Sequence, residues 1–275
     1  VKLIGEGVGK TWIIPYNTAS PGLTIGEKGN TAADRVDFIL VEGIQFCDNK
    51  DNPYGQNYDV TLLKLYNVGN NTAIRDCRFS GSLGYGLYAA GFQDSTIDNC
   101  TFVALGQASP ARYGIYMDSI PGPVPYMQCN HIRFQACMFH GYQNNNFIYI
   151  TDTTGARTPD DIYFNNCKFH PNVVNSEYYI SMNPARQIFF SNCYFGNDRV
   201  LKATNCSSIF IVNVFSTMST VGMTDPIWKF SNCLNVLMTN SEVFSISWPS
   251  QAPIQFDANC NNCAVVNIRY SGTAK

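Results

Sequence analysis

DIYFNNCKF (161–169) and QIFFSNCYF (187–195) decide the fold. Each stretch alternates apolar and variable residues and then runs Asn, Cys, a variable residue and an aromatic. The same frame returns as TAIRDCRF (72–79), STIDNCTF (95–102), HIRFQACMF (131–139), SIFIVNVFS (208–216), NVLMTNSEV (235–243) and NCAVVNIRY (262–270), with a looser copy, DFILVEGIQF (37–46). Successive copies end at 46, 79, 102, 139, 169, 195, 216, 243 and 270, so the step varies from 21 to 37 residues around a constant core. A fixed core with insertions of variable length is the mark of a solenoid, in which each repeat buries its apolar side only against its neighbours.

Most copies follow a second alternating segment: TLLKLYN, YGLYAAG, YGIYMDS, FIYITDT, YYISMN, VLKATN, IWKFSN or PIQFDAN. One repeat therefore carries a strand, a corner, a second strand, an Asn corner and a very short third strand. That is too short for a propeller blade of roughly 40 to 45 residues, and no helical stripe completes a leucine-rich or TPR unit. The expected fold is all-β, a right-handed single-stranded parallel β-helix with three sheets. About nine coils at ~4.8 Å each make a rod of roughly 43 Å. Residues 1–275 read as a single β-helix domain; the start at Val1, with neither Met nor a signal-peptide pattern, suggests a piece excised from a longer chain.

Two ladders sharpen the expectation. Asn99, Asn166, Asn192, Asn213, Asn240 and Asn267 share one frame position, with Asp76 as a relative. Asn tolerates the left-handed backbone that a sharp corner needs, and its amide can bond to the Asn above and below. Beside it, Cys77, Cys100, Cys137, Cys167 and Cys193 occupy one inward slot. Stacked equivalents lie about 4.8 Å apart, beyond the Cβ spacing of a disulfide, and a linear stack cannot enclose a tetrahedral metal. These thiols read as small buried hydrophobes, with no metal and no cofactor implied.

Composition excludes other classes. Charged residues make up 14% of the chain and the net charge is -2, with no basic run, so neither nucleic acid nor an anionic membrane is the expected partner. No stretch of about 18 apolar residues could span a bilayer. The segment IGEGVGKT (4–11) falls short of a phosphate-binding loop, because Ile4 stands where the first glycine is required and TWIIP follows instead of a helix.

The segment VKLIGEGVGKTWIIP (1–15) resembles the first coil of pectate-lyase-like β-helices, above all bacteriophage tailspikes, with Gly5, Gly7 and Gly9 serving tight corners. The likeness covers the whole chain as architecture. It implies a parallel homotrimer, assembled in a reducing host cytoplasm, carried on the virion tail and acting outside the cell on a bacterial surface polysaccharide, capsule or O-antigen. Non-catalytic adhesion, a structural shaft and a secreted monomeric lyase or hydrolase are the alternatives. Saccharides in this family lie along the outside of one sheet, flanked by loops.

Tyr88, Tyr116, Tyr149 and Tyr179 are the outward candidates on consecutive coils, followed by Lys202 and Lys229. Tyrosine offers a sugar an apolar ring and a polar edge. Insertions at 105–112, 119–130, 153–161 and 170–177 border them. Glycosidic cleavage by water needs two carboxyls at ~5 to 9.5 Å. Asp118, Asp152 and Glu177 are the expected acid, base or nucleophile, with Arg112 and Arg157 able to grip an acidic sugar. Hydrolysis is preferred to lyase chemistry because no dense acidic cluster suggests calcium. Asp118 and Asp152 also read as members of a second corner ladder with Asn183, Asn205, Asn232 and Asn259.

Overall fold

The computed structural model describes residues 1–15, 20–26, 35–49, 59–105, 113–120, 128–141, 147–155, 157–170, 178–196, 199–218, 225–245 and 252–272. Among them every regular element is a β-strand, and every strand pairs in parallel with its equivalent one coil away. The protein is a right-handed single-stranded parallel β-helix. Sheet 1 contains Leu63–Val68, Ile115–Asp118, Ile148–Thr151, Ile180–Asn183, Leu201–Thr204 and Trp228–Ser231. Sheet 2 holds the second strands, such as Asn130–Gln135, Asp160–Asn165 and Arg186–Ser191, and sheet 3 the short ones, such as Met138–His140 and Lys168–His170. The strand Leu87–Asp98 runs from sheet 1 into sheet 2 without a break.

Alternation sets the inside. Ile132, Ile162, Ile188, Ile209 and Val236 are level on successive coils of sheet 2, as are Phe134, Phe164, Phe190, Ile211 and Met238, and all are buried. From sheet 3, Phe46, Phe79, Phe102, Phe139, Phe169 and Phe195 form one column of rings with centroids 4.4 to 5.4 Å apart and planes within 12°. Trp228 closes it edge-on at 5.2 Å. Each ring pair adds roughly 0.5 to 1.5 kcal/mol beyond area burial. The column therefore adds side-chain contact between coils that the parallel ladders already join.

After the first coil, where residues 5–11 intervene, the corner between sheets 2 and 3 takes two residues. The first is Gly43, Asp76, Asn99, Ala136, Asn166, Asn192, Asn213, Asn240 or Asn267, and all nine lie in the left-handed region at φ 48 to 67°. The Asn ladder is bonded where Asn99 donates to Asp76 (2.7 Å), Asn213 to Asn192 (3.3 Å) and Asn267 to Asn240 (2.6 Å), whereas Asn192 reaches back to Asn165 (3.4 Å). In the second position the five cysteines of the frame do more than fill space. Each thiol donates to the carbonyl two residues earlier, as Cys77 does to Arg75 (3.2 Å) and Cys100 to Asp98 (3.3 Å), a second bond to an oxygen that also accepts a main-chain N–H of the neighbouring coil. Ser241 makes the same bond to Thr239 at 2.9 Å. All eleven cysteines are free thiols.

The other two corners vary in length. Connections into sheet 1 range from four residues between Ser82 and Leu87 to fifteen between Cys47 and Leu63, and those out of it from none within Leu87–Asp98 to fourteen between Ile25 and Leu40. Sheet 1 thus lies between two rows of variable connections, opposite a corner that keeps its length in every coil after the first. At the start of the chain the glycine-rich stretch is a turn between strands, with Lys10 and Thr11 donating to the Gly7 carbonyl (3.0 and 3.2 Å). A Cβ on Gly5 would lie 2.4 Å from the Gly43 carbonyl oxygen of the next coil.

Candidate functional site

The register of sheet 1 places Thr24, Lys64, Tyr88, Tyr116, Tyr149, Ser181, Lys202, Lys229 and Gln255 in one outward column. Tyr88, Tyr116 and Tyr149 stand together as the sequence suggests, half-buried, with centroids 5.3 and 5.9 Å apart. Two further tyrosines complete the group. Tyr113 stacks on Tyr149 at 4.6 Å, and Tyr85 meets Tyr88 edge-on and Tyr116 at a tilt, both at 5.5 Å. Both precede their strands in the repeated words YGLY (85–88) and YGIY (113–116), the signal that points to them. The glycine in those words has a cause: a Cβ on Gly114 would lie 2.7 Å from the ring of Phe147.

Because the rings stack along the axis, most of their faces cover one another, and the rings remain half-buried. Lys64 Nζ sits 5.5 Å from the Tyr88 centroid and 5.6 Å from that of Tyr66, covering the first end of the stack. Tyr149 forms the other end, since its ring contacts are with Tyr113 and Tyr116 of the coil before.

Tyr179 departs from the expected ladder. Ile180 pairs with Ile148, so Tyr179 falls one residue ahead of the strand and points inward, 5% exposed and stacked on Phe147 at 5.2 Å. Its expected place belongs to Ser181. Glu177 and Arg112 lie outside the described residues. Arg157 is half-buried, and its main chain is tied into the neighbouring corner, the N–H donating to Asp152 (2.8 Å) and the carbonyl accepting from the Ser119 hydroxyl.

Asp118 faces outward one column away from the tyrosines and is 5% exposed. Its Oδ1 accepts the N–H groups of Ser119 (2.7 Å) and Thr153 (2.9 Å); its Oδ2 accepts the hydroxyls of Thr153 (2.6 Å) and Tyr116 (3.0 Å). Four acceptor sites are filled, so the carboxylate ties two coils together and orients Tyr116. Asp152 accepts from Thr154 N and Oγ1 (3.1 and 2.7 Å) and from Arg157 N. The two acids are not level: Met117 pairs with Ile150, which puts Asp118 beside Thr151 and Asp152 one residue further on. The second ladder is made instead by Asn183, Asn205 and Asn232, bonded at 3.0 and 2.7 Å, with Asp257 rather than Asn259 accepting from Asn232 N at 3.0 Å. Burial, reinforced by the charge of Asp118, raises the phenols of Tyr116 and Tyr88, the latter to about 12.

A second polar group escaped the sequence reading. One residue per coil bulges into left-handed backbone at the start of the sheet 2 strand, among them Asn71, Asp94, His131 and Asp161. On the outside His131 lies between two acids, Nδ1 3.1 Å from Asp94 and Nε2 2.8 Å from Asp161. A groove of about 450 Å³ opens beside it, lined by Asp94, Ser95, Thr96, His131, Arg133 and Tyr163 among others. These left-handed residues stand opposite one another on successive coils, ahead of the alternating segment, so the hydrophobic pattern carries no trace of them. Among the described residues no three His, Cys, Asp or Glu side chains are arranged to hold a metal ion.

No family profile and no curated protein matches the sequence. The structure is similar to ORF18 of Geobacillus virus E2, with a TM-score of 0.64 and 18% identity over 98% of this chain and 49% of that one. The chain thus spans about half the length of that phage protein. At this identity the likeness establishes the β-helix alone.

Proposed function

We propose that the protein is the receptor-binding β-helix of a phage tail, holding a bacterial surface polysaccharide along the outside of sheet 1. The carrying observation is the five-tyrosine cluster standing outward between two rows of variable connections. Rigid aromatic edges with hydroxyls suit sugar rings, and loops on a fixed scaffold supply selectivity. The shared fold with a phage protein supports the virion setting, and the resemblance of the first coil to tailspikes supports a parallel homotrimer.

Depolymerisation is the second reading, favoured by the placement of Asp118 against the hydroxyl of Tyr116. Adhesion stands ahead of it, because a general acid must turn a free carboxyl edge towards the glycosidic oxygen and the acceptor sites of Asp118 are occupied. If cleavage takes place, hydrolysis is the expected chemistry, with Asp118, Asp152 and Glu177 the residues to test.

Incubation with a panel of purified capsular and lipopolysaccharide glycans tests both readings. Retention of at least one glycan without shortening, lost in Tyr116→Ala, is the expected result. Shortened chains with new reducing ends would replace adhesion by hydrolysis, and unsaturated products by a lyase. A panel that is neither retained nor shortened would overturn the assignment.

A further inference from the structure

The outward column of sheet 1 changes character at one step. Three tyrosines end at Tyr149, the next coil carries Ser181, and the two after it carry Lys202 and Lys229. Tyr149 is stacked only from the side of the preceding coil, and among the described residues no ring meets its far face. Ser181 is recessed, 9% exposed, whereas Lys202 is exposed and Lys229 half-buried. Among the described residues neither lysine has an acidic partner within ion-pair reach. No carboxylate occurs in the column from Thr24 to Gln255.

The two sides of this step call for different chemistry. A phenol face on which no described ring stacks accepts the apolar face of a pyranose. Tyr149 and Lys202 are two coils, roughly 9.6 Å, apart along the axis, which leaves about one ring's thickness above Tyr149 and a lysine's reach beyond it. An ammonium is a point charge on a flexible stem and selects an anion rather than a particular hydroxyl pattern. Resting on the reading of sheet 1 as a glycan-binding face, we infer that the ledge over Ser181 binds one acidic sugar residue, its ring stacked on Tyr149 and its carboxylate paired with Lys202 and then Lys229. The receptor is therefore a uronate-bearing or otherwise carboxylated polysaccharide, and the ledge fixes which residue of its repeat lies at this coil.

The test uses the whole chain and matched polymers: acidic and neutral bacterial surface polysaccharides, each acidic one also in a carboxyl-reduced form. Retention is read on immobilised glycan at low and high salt. Expected are retention of an acidic polymer, at least tenfold weaker retention of its carboxyl-reduced form, loss of that difference in Lys202→Gln, and loss of binding in Ser181→Tyr, which extends the ring stack into the ledge. Circular dichroism checks that Ser181→Tyr is folded, and Lys202→Gln, an exposed change, carries the test if it is not. Equal retention of native and carboxyl-reduced polymers, or an unchanged acid preference in Lys202→Gln, overturns the acidic-sugar ledge while glycan binding stands. Retention of none of the polymers overturns both.

Discussion

A single residue in left-handed backbone turns each coil, and the choice of side chain there has a cost. Asn213 sits at φ 52° and donates to Asn192. A side chain other than Gly, Asn or Asp in this region costs roughly 1 to 2 kcal/mol. Asn213→Ala is expected to lower stability by about 1 to 2 kcal/mol and Asn213→Gly by less, read as urea midpoints; an Ala variant as stable as the Gly variant would refute the argument. Ala136 occupies the same position with φ 52°, so the cost is bearable once among nine coils. The tyrosines supply a pH prediction. Burial raises the phenols of Tyr88, Tyr116, Tyr178 and Tyr179 in the folded chain, Tyr88 to about 12. An unfolded tyrosine ionises near pH 10, so the stability tied to the neutral phenols is complete below that pH and disappears as pH climbs towards 12 and beyond. Tyrosinate absorbance should rise in two stages, the second coinciding with loss of β-sheet signal. A single stage, with the fold intact, would show that the cluster is freely hydrated.

Strands and columns are where the sequence was most and least legible. Strict alternation marks Ile162 with Phe164 and Ile188 with Phe190 as inward, which they are, and the Asn–Cys pair marks where sheet 2 ends, so the course of the coil is legible in the sequence. Sheet 1 is harder, because most of its strands have only three or four residues and a shift of one exchanges faces. Aligning tyrosine with tyrosine led to Tyr179, whereas aligning the inward Ile115, Ile148 and Ile180 leads to Ser181. The carboxylates were legible as corner residues, but their partners, Thr153 and Thr154, lie in a connection whose path no local pattern sets. The ring column of sheet 3 supports an element-level prediction. Phe139 stacks between Phe102 and Phe169 and is fully buried, so Phe139→Ala should cost about 3 to 5 kcal/mol, and Phe139→Leu markedly less because most of the volume is kept. Equal losses for the two variants would mean that ring stacking, rather than filled volume, dominates.

The whole molecule is a linear stack, and its stability is therefore distributed along a line. Each inner coil is held by its two neighbours, while among the described residues the strand Ala264–Gly272 pairs on one side only, with Leu234–Ser245, and exposes Val265, Val266 and Tyr270. Native-state hydrogen exchange should be fastest in Ala264–Gly272 and slowest around Asp160–Asn165 and Arg186–Ser191, rising in protection inward from the end. Uniform protection along the rod would indicate all-or-none opening instead. The stacked construction has another consequence. Rungs that repeat at a constant pitch present an elongated, periodic ligand with many equivalent alignments, each one step from the next, and a uniform row of tyrosines could not tell them apart. The replacement of tyrosine by Ser181 and then by Lys202 breaks that translational symmetry at a single rung, giving the surface an origin from which position along a bound chain is counted.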